Sequence, residues 1–245
     1  MTATYNPLLV VVSALIAVLA SYTALELASR MVTAQGVERK IWLMGGAIAM
    51  GTGIWSMHFL GMLAFSLPIF ISYNFLLTVV SLAAAIVASG VALSIVSRPR
   101  VDLSTLLTSA TFMGVGIGAM HYIGMAAMQI TAKIHYNPVL FLLSVVLAVT
   151  VSLVALKLSL KFRQQSQMAN KTPQIISAIV MGAGILLLHY CGMAAATFTA
   201  DYERYIQPSS FDNSTMAFLV TIFTFLILGT TLVISADKAG AQDFS

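Results

Sequence analysis

The sequence predicts an all-α, polytopic membrane protein of seven transmembrane helices. They are arranged as three tandem two-helix repeats plus a seventh helix, with the N-terminus outside and the C-terminus inside. Three observations carry this. The 245 residues are 59% hydrophobic and only 8% charged, with a mean hydropathy of +0.95, whereas soluble domains carry roughly 25% charged residues. Seven apolar runs are each long enough to cross a bilayer, which takes about 20 residues. Two residue patterns recur three times at matched positions, one in the odd-numbered runs and one in the even-numbered runs.

The spans fall near residues 7–29, 41–63, 75–96, 103–127, 138–160, 173–198 and 215–234. The runs are continuous, which argues against transmembrane strands, whose roughly 10-residue segments alternate. The first run lacks a basic leading region and a small-residue cleavage site, so it is read as a retained helix. The net charge of +4 does not point to nucleic acid, because the basic residues lie between apolar runs and form no patch. A single cysteine, Cys191, excludes an internal disulfide framework.

Loop charge sets the orientation. Arg30, Arg39 and Lys40 fall in the first connection, Arg98 and Arg100 in the third, and Lys157, Lys161, Arg163 and Lys171 around the fifth. The remaining connections carry only Lys133 and Arg204, and the 201–212 loop is acidic. Basic loops stay in the cytoplasm.

Each odd helix opens on Tyr-Asn, at Tyr5-Asn6, Tyr73-Asn74 and Tyr136-Asn137. Serines follow eight residues after the tyrosine (Ser13, Ser81, Ser144) and sixteen after it (Ser21, Ser89, Ser152). The even helices share M-G-x-G-I-x-x-[ML]-H-[FY]-x-G-M, beginning at Met50, Met113 and Met181. The repeats therefore occupy about 5–63, 73–128 and 136–198 of a domain spanning 5–236, with an extra helix at 215–234. Residues 237–245 read as a cytoplasmic tail, or as the start of a linker to a missing output domain. An even number of helices per unit keeps every copy in one orientation, about an axis along the membrane normal. His58, His121 and His189 then lie at one depth, just inside the outer boundary.

A methionine follows each histidine by four residues, as Met62, Met125 and Met193. On a helix that places it about 40° away, with Cβ atoms roughly 5–6 Å apart. Imidazole and thioether can thus face one ion. Imidazole suits copper, zinc, iron and nickel, and thioether selects Cu(I). Gly51, Gly114 and Gly182, seven residues before each histidine, clear room for a close helix approach. The bland alternative is that each histidine hydrogen-bonds a neighbouring helix and is structural. Intramembrane ionisable residues are functional candidates by default.

These motifs resemble the MHYT family of bacterial integral-membrane sensor domains, over essentially the whole chain. The resemblance implies a seven-helix domain of the bacterial cytoplasmic (inner) membrane with its motifs near the outer face. It implies copper held by Met and His, with oxygen, carbon monoxide or nitric oxide as the signal, and an output through cyclic-di-GMP synthesis or degradation. By motif the candidate ligands are Met57, His58 and Met62, Met120, His121 and Met125, and His189 and Met193. The third copy departs, with Leu188 in place of the preceding methionine, and the first has Phe59 in place of Tyr.

Other residues read more plainly. Glu26, the only carboxylate inside a span, is placed at the cytoplasmic end, reaching interfacial water or linking the bundle to an output surface. Cys191 is read as buried, His135 as a solvated loop residue, and Trp42 and Trp55 as packing or interfacial anchors. The leading expectation is a copper-binding sensory domain for a diatomic gas or for copper itself. Its partners are the bilayer, a cytoplasmic output domain or protein, and, compatibly, a second copy of the chain. A transporter and a structural anchor are the alternatives, and haem is the alternative cofactor. No nucleophile–base pair, phosphate loop or paired carboxylates appear, so no enzymatic activity is expected of this chain.

Overall fold

A computed structural model describes residues 3–162, 171–201 and 213–242. Seven helices are long and apolar enough to cross a membrane: α1 (Pro7–Thr33), α2 (Gly36–Ala64), α3 (Phe75–Val96), α4 (Leu103–Ala126), α5 (Pro138–Phe162), α6 (Thr172–Ala195) and α7 (Asn213–Gln242). The helix starts follow local chemistry. Proline opens α1 and α5, where its missing N–H costs nothing. Gly36 takes a φ of 54°, which glycine tolerates, so α1 turns into α2 within a few residues. α7 is longer than the 215–234 expected and absorbs most of the stretch read as a tail. Arg163 and residues 202–212 of the acidic loop lie outside the described residues.

Among the described residues, six short strands, not anticipated from the sequence, tie one end of the bundle. They are β1 (Thr4–Tyr5), β2 (Phe65–Ser66), β3 (Ile71–Tyr73), β4 (Met128–Ile130), β5 (Ala132–Tyr136) and β6 (Ala196–Ala200). β1 pairs with β2, β3 with β4 and β5 with β6, all antiparallel. Each pair joins the start of an odd helix to the end of the even helix that follows it. The asparagine of each Tyr-Asn adds two links. Its backbone N–H donates to Ala64, Ala127 or Ala195 at 2.8 Å. Its side chain accepts from the first-turn N–H groups of Leu8 and Leu9, of Leu77, or of Val139 and Leu140. Such an N-cap contributes about 1 kcal/mol.

The helices α1 to α6 form a closed ring, each packed on its chain neighbours and α1 on α6. The two glycines of each M-G-x-G-I segment explain how closely the ring is drawn. A methyl on Gly51, Gly114 or Gly182 would meet the backbone of Ile86, Val149 or Val18, on α3, α5 and α1. A methyl on Gly53, Gly116 or Gly184 would meet Ala20, Ala88 or Val151, on α1, α3 and α5. Each even helix thus uses one glycine toward each odd neighbour. The close approach expected of the first glycine is present, and its partner is the odd helix of the next unit.

α7 lies outside this ring against α1 and α2. Leu228 packs with Ala20 and Ala49, and the Thr224 hydroxyl donates to Ser56 Oγ at 2.6 Å. The end of the ring away from the strands holds Glu26. It is buried and bound to Arg30 (3.0 Å), Lys171 (3.6 Å), Gln174 (3.3 Å) and Ser235 (3.2 Å). This corrects the reading of Glu26 as a group reaching water: a carboxylate surrounded by Arg30 of α1, Lys171 at the N-cap of α6, Gln174 of α6 and Ser235 of α7 is held inside the bundle. Cys191 is half-buried and not fully enclosed. His135 is exposed on β5, with its Nε2 3.2 Å from Thr199 Oγ1.

Candidate metal centre

The even helices bring their histidines to the axis of the ring. His58, His121 and His189 are 1%, 2% and 2% exposed. Each lies about 8–9 Å below the strand-bearing end of its helix at 1.5 Å per residue. His58 Nδ1 is 3.1 Å from His121 Nδ1 and 3.1 Å from His189 Nδ1. Each ring offers a nitrogen within 4.8 Å of the other two. The rings meet edge to face, with centroids 4.7, 5.1 and 5.4 Å apart. The three histidines from three separate repeats therefore make one cluster.

The far edge of each imidazole has a cyclic arrangement. His58 Nε2 lies against Gly124, His121 Nε2 against Gly192 and His189 Nε2 against Gly61, each where a β-carbon would stand. These are the glycines three residues after each histidine. They were visible in the repeated pattern and were given no role, because their contact is with the histidine of another repeat. None of the three Nε2 atoms has a hydrogen-bond partner. Among the described residues, the ring nitrogens of the three histidines have hydrogen-bond contacts with one another alone, through Nδ1.

The donor set fits a metal. Tetrahedral ligands at about 2.0 Å stand roughly 3.3 Å apart, close to the 3.1 Å of His58 from each of the other two; all three lie within 4.8 Å of one another. Neutral imidazole is a ligand for copper or zinc. Met62, Met125 and Met193 are 0%, 0% and 4% exposed, and Met57 and Met120 are equally enclosed. All five pack in the same core cluster as the residues around the histidines. Leu188 fills the remaining position beside His189.

A second feature lies beside the cluster in two of the three copies. Tyr122 Oη is 2.6 Å from Ser144 Oγ, an α4-to-α5 bond. In the first copy Phe59 has no hydroxyl, and Trp55 Nε1 donates to the equivalent Ser81 Oγ at 2.9 Å, while its ring stacks on Phe59 at 5.0 Å. Trp55 thus replaces the missing tyrosine hydroxyl, a role its position in the sequence did not disclose.

The fold is a three-fold ring of helix pairs, whose helices are long and apolar enough to cross a membrane, with imidazoles clustered in its core. The chain belongs to the MHYT family, described as a bacterial signalling protein N-terminal repeat, which matches residues 1–38, 51–109 and 114–170. It is 43% identical over 94% of its length to the bifunctional diguanylate cyclase/cyclic di-GMP phosphodiesterase MucR of Pseudomonas aeruginosa. It is 39% identical over 92% of its length to the signaling protein YkoW of Bacillus subtilis, and 38% identical over 78% to the cyclic di-GMP phosphodiesterase NbdA of P. aeruginosa. The chain spans 34%, 28% and 24% of these relatives. No solved structure matches.

Proposed function

We propose that this chain is the input domain of a signalling system, that its three-histidine cluster holds one copper ion near the outer face, and that a diatomic gas or copper is the signal. The observation that carries this is the convergence of three Nδ1 atoms, 3.1 Å apart in two pairs, from three repeats at one depth. His58, His121 and His189 would hold the ion, which would supply an electrophilic, redox-active centre able to bind a small ligand. The chain's own contribution is to fix the three rings against Gly61, Gly124 and Gly192, and to enclose them in an apolar shell rich in methionine. Copper is favoured over zinc by the soft sulfurs of Met62, Met125 and Met193 one turn away. Haem is disfavoured, because a macrocycle would have to fit between any two of these imidazoles that held its iron. Nitrogens 3.1 Å apart leave no such gap.

The basic connections support a cytoplasmic position for the end opposite the strands. The output would be reached there and would control cyclic-di-GMP turnover, a reading supported by the likeness to MucR, a diguanylate cyclase/cyclic di-GMP phosphodiesterase, and NbdA, a cyclic di-GMP phosphodiesterase. The test is copper content of the purified, untagged chain. A shared centre predicts that any one of His58→Ala, His121→Ala or His189→Ala removes most of the copper. Loss of about a third from each would indicate separate, additive sites. Full copper content in the triple variant would return the histidines to a structural role.

A further inference from the structure

Three triplets of the repeat meet inside the ring below the imidazoles. Ile54, Ile117 and Ile185 precede the histidines by four residues, and Met50, Met113 and Met181 precede them by eight. On the odd helices, Ala24, Ala92 and Ala155 each follow the tyrosine of Tyr-Asn by nineteen residues. Counted from the strand-bearing end, the isoleucines lie at about 14–15 Å, the methionines at about 20–21 Å and the alanines at about 26 Å. All nine border one cavity of about 40 Å³. The isoleucines form its roof. Residues four apart share a helix face, so each isoleucine stands one turn beneath its own histidine.

Interiors close most gaps larger than a water molecule. Here alanine, the smallest side chain after glycine, stands at one position of all three odd helices, so the gap is built by the repeat. Its size and lining define what it can hold. A cavity of roughly 150 Å³ takes benzene, so this one has room for a molecule of about two heavy atoms and not for a ring or an acyl chain. Its polar lining is three serines. Ser21 returns its proton to the Ala17 carbonyl at 2.8 Å. Ser152 is buried without a hydrogen-bond partner, and Ser159 lies about 10 Å further along α5. A buried water makes about three hydrogen bonds, and no point in the cavity meets three hydroxyls. Among the described residues no charged side chain lines it, so an ion would enter uncompensated. A small, uncharged, apolar molecule fits, and its transfer out of water is favourable.

We infer that this cavity is a binding site for one molecule of an apolar diatomic gas, separate from the imidazole cluster and one isoleucine layer beneath it. Its role rests on the gas reading given above, because a gas held there is stored one helical turn from the histidines. The binding itself depends on the cavity and not on copper. Unbranched methionine side chains adapt to irregular gaps, so the wall formed by Met50, Met113 and Met181 yields around a guest. The gas is drawn from the apolar interior of the bilayer and reaches the imidazoles past Ile54, Ile117 and Ile185.

Xenon, an apolar atom that enters dry cavities, is the probe. Methyl NMR of the metal-free full chain in detergent micelles, labelled at Met and Ile, follows the shifts against xenon pressure. Saturable shifts are expected at Met50, Met113, Met181, Ile54, Ile117 and Ile185. Ile41 and Met44, which are 64% and 68% exposed, should show only the unsaturable drift of xenon dissolved in the micelle. Carbon monoxide is expected to compete with xenon for the saturable shifts. Ala155→Val and Ala92→Val each add two methyl groups to the wall, from α5 and α3. Each is expected to weaken xenon binding at least tenfold with an unchanged or raised melting temperature, because filling a cavity stabilises. Unsaturable shifts throughout the wild type, no competition by carbon monoxide, wild-type xenon affinity in a folded valine variant, or water cross-peaks to the Met113 methyl would each overturn the inference. With no metal in the sample, failure here leaves the copper reading standing, and a chain purified without copper leaves the xenon site standing.

Discussion

Gly124→Ala tests the architecture of the imidazole cluster without touching a ligand. Gly124 belongs to α4, and the space for its β-carbon is occupied by Nε2 of His58 from α2. The added methyl is fixed to a helix backbone, so the imidazole must yield. A ring pushed back from Gly124 moves toward the axis, where its Nδ1 already stands 3.1 Å from two other nitrogens. It must tilt, and all three donor vectors lose their common focus. Substitutions that misorient a metal ligand through its neighbour cost 10–100-fold in affinity, or about 1.4–2.7 kcal/mol. Copper affinity of Gly124→Ala, measured by chelator competition, should fall by that factor while helical content stays constant. Gly118→Ala is the control: it lies on the same helix, and its β-carbon would meet nothing within 4 Å. Gly61→Ala and Gly192→Ala should match Gly124→Ala, because they act on His189 and His121 in the same way. A folded Gly124→Ala protein with wild-type copper affinity would refute the argument.

Other substitutions probe the packing and the far end of the bundle. Gly51→Ala sets a methyl against the Ile86 backbone and should destabilise the protein by about 1–3 kcal/mol, read as a lowered melting temperature in detergent. Trp55→Phe removes the donor to Ser81 and should cost about 0.5–1.5 kcal/mol. Adding Phe59→Tyr, which recreates the Tyr122–Ser144 arrangement, should recover most of that loss in the same melt. Glu26→Gln should leave copper content unchanged, since Glu26 lies at the opposite end of the ring. It should destabilise the fold by about 1–3 kcal/mol through the loss of its contacts with Arg30 and Lys171; copper loss would contradict the depth assignment. Reporter fusions at Asp201 and Lys161 should fall on opposite sides of the membrane, and a periplasmic Lys161 would invert the proposed topology.

The sequence by itself determined the seven helices and the three-fold repetition. Span length and apolarity are local properties, and the bilayer's thickness sets them. It also determined that His58, His121 and His189 share a depth, because a two-helix period preserves direction and level. Position along a helix says nothing of which neighbour a side chain meets. That was decided when α1 packed on α6 and closed the ring, turning three equivalent histidines inward until they touched. The same closure gave each imidazole edge to a glycine of a different repeat. It also let Trp55 answer Ser81 where Phe59 lacks a hydroxyl, and it buried Glu26 among groups from α6 and α7 that no helical periodicity connects to it. Repetition fixes equal height along the axis, whereas rotation about each helix is chosen only by the close packing of all six.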